Sequence, residues 1–124
     1  MYGDTDAMRR RAGQLREQGA DVRALADRLV AQVDALDWSG RAAVALRARV
    51  RERAALLRSC AGQHENAAES LERHLTEVDR LKDSIAGIER RAGSLVAEDP
   101  ALRDRFTPPP PGHKAWLTVS LPGL

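Results

Sequence analysis

Apolar residues recur along the N-terminal part of the chain at alternating steps of four and three residues. A sustained heptad repeat of this kind is typical of a coiled-coil seam, and it predicts a helix over about residues 5–36. Large side chains alternate with Ala and Gly in the repeat, which indicates a partner helix that approaches closely. The repeat consists of Met8, Ala12, Leu15, Gly19, Val22, Ala26, Leu29, Val33 and Leu36.

A second stripe with the same average step begins after residue 40 and predicts a longer helix over about residues 41–97. An isolated amphipathic helix buries little, and a short break between two such helices favours an antiparallel hairpin. We therefore expect an all-α fold in which residues 1–98 form one hairpin domain with its turn at 37–40. The second stripe is Leu46, Val50, Ala54, Leu57, Ala61, His64, Ala68, Leu71, Leu75, Val78, Leu81, Ile85, Ile88, Ala92 and Leu95.

Charge is distributed unevenly along the predicted second helix, although the net charge is only +2. Residues 38–63 carry six basic groups and one acidic group, whereas residues 64–99 carry five basic and nine acidic groups. A turn near residue 38 would place Asp27 and Asp34 beside the basic segment. It would also bring the Arg9–Arg11 run close to Glu65 and Glu69. Charge thus selects the register of the hairpin, and burial supplies its stability.

The predicted turn reads Asp37-Trp38-Ser39-Gly40. Gly40 permits backbone angles that other residues resist, and Ser39 is suited to cap the second helix. Trp38 is expected to cover the open end of the hairpin. An exposed Trp38 would instead be a recognition residue.

The C-terminal segment 99–124 changes character. Asp99-Pro100 has the form of a cap followed by a first helical position, and Pro108–Pro111 favour polyproline II. The sequence from Lys114 to Leu121 is apolar and partly β-branched, as a short strand would be. Two interpretations stay open: a disordered tail, or a docking segment that buries Trp116, Leu117, Val119 and Leu121.

Trp38-Ser39-Gly40 at the junction of two antiparallel amphipathic helices resembles the WXG family, the early-secreted-antigen-like substrates of type VII secretion. The resemblance covers roughly residues 5–80 and carries over Trp38 and Gly40. It implies a hairpin that dimerises into a four-helix bundle and leaves the cell, without a cleaved leader, through a membrane-bound ATPase machine. Such a protein is cytoplasmic before export and secreted or associated with the cell envelope afterwards.

In that family the export signal, Tyr-X-X-X-Asp/Glu, follows helix two. Here Tyr2 and Asp6 have the spacing at the opposite end of the chain. A heterodimeric partner could carry the signal, and the long second helix and Pro-rich tail look like those of a companion or adaptor for a larger secreted effector. The rival interpretation is a cytoplasmic coiled-coil adaptor, chaperone or immunity protein that is not itself secreted.

Other function classes find little support in the sequence. A hairpin offers little concavity for catalysis, and the chain has no phosphate-binding or nucleophile motif, so we expect no enzymatic activity and no cofactor. Cys60 and His64 share a helix face but are too few to hold a metal. Alternate arginines from Arg47 to Arg53 spread around a helix, so we expect no nucleic-acid binding. No apolar run is long enough for stable membrane insertion.

The second stripe extends beyond the reach of the first helix, which runs out opposite about residue 72. We therefore expect an obligate partner there, because several large apolar side chains would otherwise face water. Three partners fit equally: a second copy, another hairpin in a heterodimer, and the N-terminal helices of a large exported effector. The predicted interface consists of Leu75, Val78, Leu81, Ile85, Ile88 and Leu95.

Overall fold

The computed structural model describes residues 3–124 and is all-α in that range. Helix α1 spans Gly3–Asp34, α2 spans Arg41–Glu98, and α3 spans Pro100–Arg105. A 3-10 helix follows at Lys114–Thr118. The chain divides into two compact units, one ending at Leu75 and the other comprising Thr76–Leu124, so the division falls inside α2. The Tyr2 end of the predicted Tyr2–Asp6 pair lies outside the described residues.

The two long helices pack antiparallel in the first unit and form the predicted helical hairpin. Their contact line is built from small residues at heptad spacing, because only small side chains let two helix backbones approach closely. Gly19 lies directly against Ala61, where a Cβ atom would come within 3.2 Å of the Ala61 carbonyl oxygen. The buried residues of this unit are Thr5, Ala12, Gly19, Ala26, Val33, Ala43, Ala54, Ala61, Ala68 and Leu75.

Four ion pairs join the two helices along the hairpin. The helix that supplies the acidic partner changes with distance from the turn. Near the turn, acidic residues of α1 meet basic residues of α2: Asp34 with Arg51 at 2.9 Å and Asp27 with Arg58 at 2.7 Å. Farther away the order reverses, with Arg23 on Glu65 and Arg16 on Glu72, both at 2.6 Å. A helix displaced along its neighbour would bring like charges together, so these pairs favour one register.

The observed register differs from the one predicted from charge. Glu65 pairs with Arg23, and Arg9 instead contacts Asp6 of its own helix. The displacement has a structural reason: α1 ends at Asp34, two residues before the predicted end, and residues 35–40 form the connection. The small-residue contact between Gly19 and Ala61 and the four ion pairs between the helices are both formed in this alignment.

The second unit contains the end of α2, α3 and the tail. Asp99 caps α3 as its sequence predicts, accepting a hydrogen bond from the Ala101 amide at 3.0 Å. The predicted strand at Lys114–Leu121 is wrong, because Lys114–Thr118 is a 3-10 helix. β-propensity is realised only beside a partner strand, and residues 3–124 contain none.

Candidate functional site

Two places in the structure carry the residues that the sequence singles out: the turn of the hairpin, and the part of α2 beyond the hairpin with the tail packed on it. The turn contains Trp38 and Gly40. The second place contains most of the predicted partner interface and the whole predicted docking segment. Each lies within one compact unit.

The turn requires a glycine at position 40. Gly40 has φ of +104°, in the left-handed region that L side chains rarely adopt, and α2 begins at the next residue. Its carbonyl oxygen accepts the amide hydrogen bond of Val44 at 3.1 Å, which closes the first turn of α2. Gly40 therefore acts through its backbone, as a change of chain direction at the start of a helix demands.

Trp38, which was expected to cover the open end of the hairpin, is not buried there. Its side chain is 48% exposed, and Leu36 is exposed to the same extent. The backbone around the indole is nevertheless fixed, because Arg47 of α2 donates hydrogen bonds to the Leu36 carbonyl at 3.0 Å and to the Trp38 carbonyl at 2.8 Å. The turn thus presents a large aromatic side chain to solvent on a loop that is held in place.

The sequence interpretation missed Arg47 as the residue that holds the turn. Its place among the alternate arginines from Arg47 to Arg53 indicates only that these side chains spread around the helix. The clue lay in its position, because a long side chain in the first turns of the second helix lies close to the loop carbonyls.

The tail packs on α2 within the second unit. Ile85 and Ala92 of α2 form a buried cluster with Trp116, which is only 6% exposed. Ile88, Phe106, Val119 and Leu121 pack against this cluster. Phe106 meets Trp116 edge-on, with ring centroids 6.2 Å apart. The tail therefore docks on α2 of its own chain through Trp116, Val119 and Leu121. Leu117 is 40% exposed and takes no part in the cluster.

Polar contacts fix the path of the tail. The Trp116 indole Nε1 donates to the Pro110 carbonyl at 3.0 Å, which satisfies the buried polar atom of the ring. Glu89 of α2 accepts the amide hydrogen of Gly112. His113 caps the 3-10 helix, its Nδ1 accepting from the Ala115 amide at 3.0 Å. Gly112 has φ of +73°, so the chain reverses there with a residue that tolerates it.

The predicted partner interface is partly occupied by the chain itself. The expectation that its residues lack an intrachain cover is wrong for Ile85 and Ile88, which lie under the tail. It is also wrong for Leu75, which is buried. Val78, Leu81 and Leu95 are half-buried. The reason is that a heptad stripe reveals an apolar face but not which segment covers it.

A cavity of about 340 Å³ remains beside Trp116. Its apolar walls come from Ala92, Val96, Phe106, Pro108 and Trp116, and Glu89 and Arg103 contribute polar groups to its lining. The cavity is open to solvent, so it is a cleft beside the ring and not an enclosed void. The tail therefore covers α2 incompletely.

The Cys60–His64 pair, considered as a metal site, makes its hydrogen-bonding contacts within its own helix turn. Cys60 Sγ lies 3.7 Å from His64 Nδ1, and the same ring nitrogen donates to the Cys60 carbonyl at 2.9 Å. Among residues 3–124, no three metal-ligating side chains are grouped. None of the helices in that range is both long and apolar enough to cross a membrane.

The carboxylates of the hairpin ion pairs have shifted acidity. Hydrogen bonds from Arg23 lower the pKa of Glu65, and those from Arg16 lower the pKa of Glu72. The shift arises because a guanidinium favours the charged carboxylate. These groups form a bidentate ladder on the hairpin surface, which is a structural arrangement and brings no reactive group beside them.

Comparison of this chain with family models, with curated proteins and with solved structures yields no match.

Proposed function

We propose that this chain is a non-enzymatic interaction protein of the WXG type, exported by type VII secretion or acting as the companion of a larger secreted protein. The observation that carries the proposal is the turn itself. An exposed Trp38 and a left-handed Gly40 stand two residues apart at the junction of two antiparallel helices. This is where the WXG resemblance places its signature residues.

The exposure of Trp38 favours a recognition role over a packing role. A tryptophan in water is costly, and large aromatic residues on held backbones are frequent anchors at protein interfaces. Arg47 reduces the conformational entropy that a partner would have to remove, because it fixes the loop before binding. The partner proposed here is the secretion machinery or the larger protein that the chain accompanies.

A second hairpin is the proposed partner along the seam. Small residues fill the contact line between α1 and α2, so the larger members of both stripes remain only partly covered. Packing a second hairpin on them would complete a four-helix bundle. The half-buried side chains that support this are Met8, Leu15, Val22 and Leu29 on α1 and Val50, Leu57 and Leu71 on α2. Homodimer and heterodimer both satisfy this arrangement.

Export is tested by comparing culture medium from wild type and from a strain that lacks the secretion ATPase. We expect the chain in the medium of the wild type alone. Trp38→Ala should reduce the exported fraction about tenfold with unchanged helicity, because it removes an interface anchor. Leu117→Ala, which truncates another exposed apolar side chain, serves as the matched control.

Retention of the protein in the cytosol of both strains would contradict export. It would favour the cytoplasmic adaptor, chaperone or immunity protein instead. Unaltered export of the Trp38→Ala variant would contradict the recognition role of the indole while leaving export itself intact.

A further inference from the structure

The apolar face of α2 beneath the tail has the heptad pattern of a surface that packs against another helix. From Val78 to Leu95 the stripe keeps strict heptad spacing through Leu81, Ile85, Ile88 and Ala92. Heptads of this kind place a row of knobs along a straight seam, which fits the holes of another helix. The actual cover is irregular: the short 3-10 helix buries Trp116 in it, and Phe106, Val119 and Leu121 pack around that ring. The irregular tail therefore does not match the regular heptad surface of α2 on which it packs.

The tail covers this face with gaps. The cavity beside Trp116 is open to solvent, so part of its apolar lining, including Val96, faces water and not protein. Leu117 and Leu124 of the tail are exposed as well. A helix that filled the same face would gain contacts that the tail does not make.

A second copy of the same segment is the occupant that the face fits. If two copies pack antiparallel in the usual layers of a coiled coil, Ile85 of one faces Ile88 of the other. In the same register Leu81 faces the small Ala92, and Val78 faces Leu95. The layers repeat under the two-fold axis, as an isologous interface requires.

Charge on the flank of the stripe supports the same pairing. Lys82 and Glu89 lie one heptad apart and therefore occupy the same flank position. In an antiparallel pair, equivalent flank positions meet, which sets Lys82 of each copy beside Glu89 of the other. Opposite charges meet twice. A parallel pair would lose this complementarity.

We propose that this stretch of α2 is a self-association surface and that the tail is its competitor within the chain. Both occupants use the same groups: Ile85 and Ala92 are buried under Trp116, and Glu89 accepts the Gly112 amide. Dimerisation through this face requires the tail to leave. The inference deepens the proposed function by naming one partner and the segment that controls its access.

The first test loosens the tail in the full-length chain. Trp116→Ala should lower the dissociation constant for self-association at least about tenfold, equivalent to about 1.4 kcal/mol. Sedimentation velocity over a concentration series measures this constant. Leu117→Ala removes an exposed tail residue and should leave the constant unchanged. Unchanged or weaker association of Trp116→Ala, with or without loss of helicity, would overturn the proposal.

The second test identifies the occupant in the Trp116→Ala background. Lys82→Glu and Glu89→Lys each place like charges together twice, and each should weaken self-association about fivefold. An equimolar mixture of the two variants restores both opposite-charge pairs and should associate more tightly than either alone. A mixture no tighter than its components would exclude the antiparallel second copy.

These outcomes are independent of the secretion assay. A chain that stays in the cytosol can still self-associate through α2 when the tail is loosened. Conversely, an exported hairpin whose association ignores Trp116, Lys82 and Glu89 would keep the proposed function and lose this inference.

Discussion

Gly19 of α1 packs directly on the backbone of α2 at Ala61, so closely that a methyl group at position 19 would require a shift of a few tenths of an ångström. A Cβ atom at position 19 would lie 3.2 Å from the Ala61 carbonyl oxygen and equally close to the Glu65 side chain. This contact sets how near the helices approach. The hairpin seam is therefore tightly packed at this position of its heptad.

Gly19→Leu should lower the free energy of unfolding by about 1–3 kcal/mol, because the added side chain forces the helices apart. Gly13 is the matched control, since it lies in the same helix and a Cβ there would meet nothing within 4 Å. Gly13→Ala should raise the free energy of unfolding by up to about 1 kcal/mol through helix propensity. Urea denaturation followed by circular dichroism measures both. A Gly19→Leu variant as stable as wild type would contradict the close approach.

Gly40→Ala should lower the free energy of unfolding by about 1–2 kcal/mol, because a Cβ atom is strained at positive φ. No neighbouring atom lies within 4 Å of that Cβ position, so the whole cost is conformational. Gly40→Asn should cost less, since Asn tolerates the left-handed region better than Ala. Equal losses for the two variants would argue against a backbone origin. Thermal unfolding of both proteins provides the comparison.

The hairpin should lose stability as the pH falls through the acidic range. Arg23 and Arg16 lower the pKa values of Glu65 and Glu72 in the folded state. Their contribution is thus complete above the unfolded pKa, about 4.3, and is lost as the pH falls through the lower folded values. Urea midpoints at pH 7 and pH 3 measure the loss.

Glu65→Gln combined with Glu72→Gln should flatten that pH dependence, and Glu17→Gln should leave it unchanged because Glu17 forms no ion pair among the described residues. Addition of 1 M salt should weaken the effect, since exposed charges are screened. A pH profile that is identical in the double variant and in wild type would remove these pairs from the stability of the hairpin.

Periodic patterns predicted more of this fold than side-chain chemistry did. The heptads of Met8–Leu36 and Leu46–Leu95 identify both long helices because a helix repeats its environment every turn. The register was predicted less well, since it depends on the Gly19 contact and on where α1 ends. The packing of the tail could not be predicted from such patterns. Trp116 contacts the cluster around Ile85 through tertiary packing, and a contact between distant residues leaves no local repeat in the sequence.

Trp116→Ala should lower the free energy of unfolding of the second unit by about 3–5 kcal/mol, because a large buried aromatic side chain is removed. Amide hydrogen exchange should accelerate at Trp116 and Val119, whose amides close the turns of the 3-10 helix. Exchange within α1 should stay unchanged. Leu117→Ala, at an exposed position of the same 3-10 helix, should change little.

Arg47→Ala should release the turn without unfolding the hairpin. The guanidinium donates to the carbonyls of Leu36 and Trp38, and losing both bonds should cost about 1 kcal/mol, with water replacing the donor at this exposed site. Fluorescence anisotropy of Trp38, measured with Trp116→Phe so that one indole remains, should fall as the loop gains motion. Arg49→Ala is the control, because Arg49 is exposed on the same helix and contacts neither carbonyl. An unchanged anisotropy would show that the loop is held by its own backbone hydrogen bonds, such as the one from the Leu36 amide to the Val33 carbonyl.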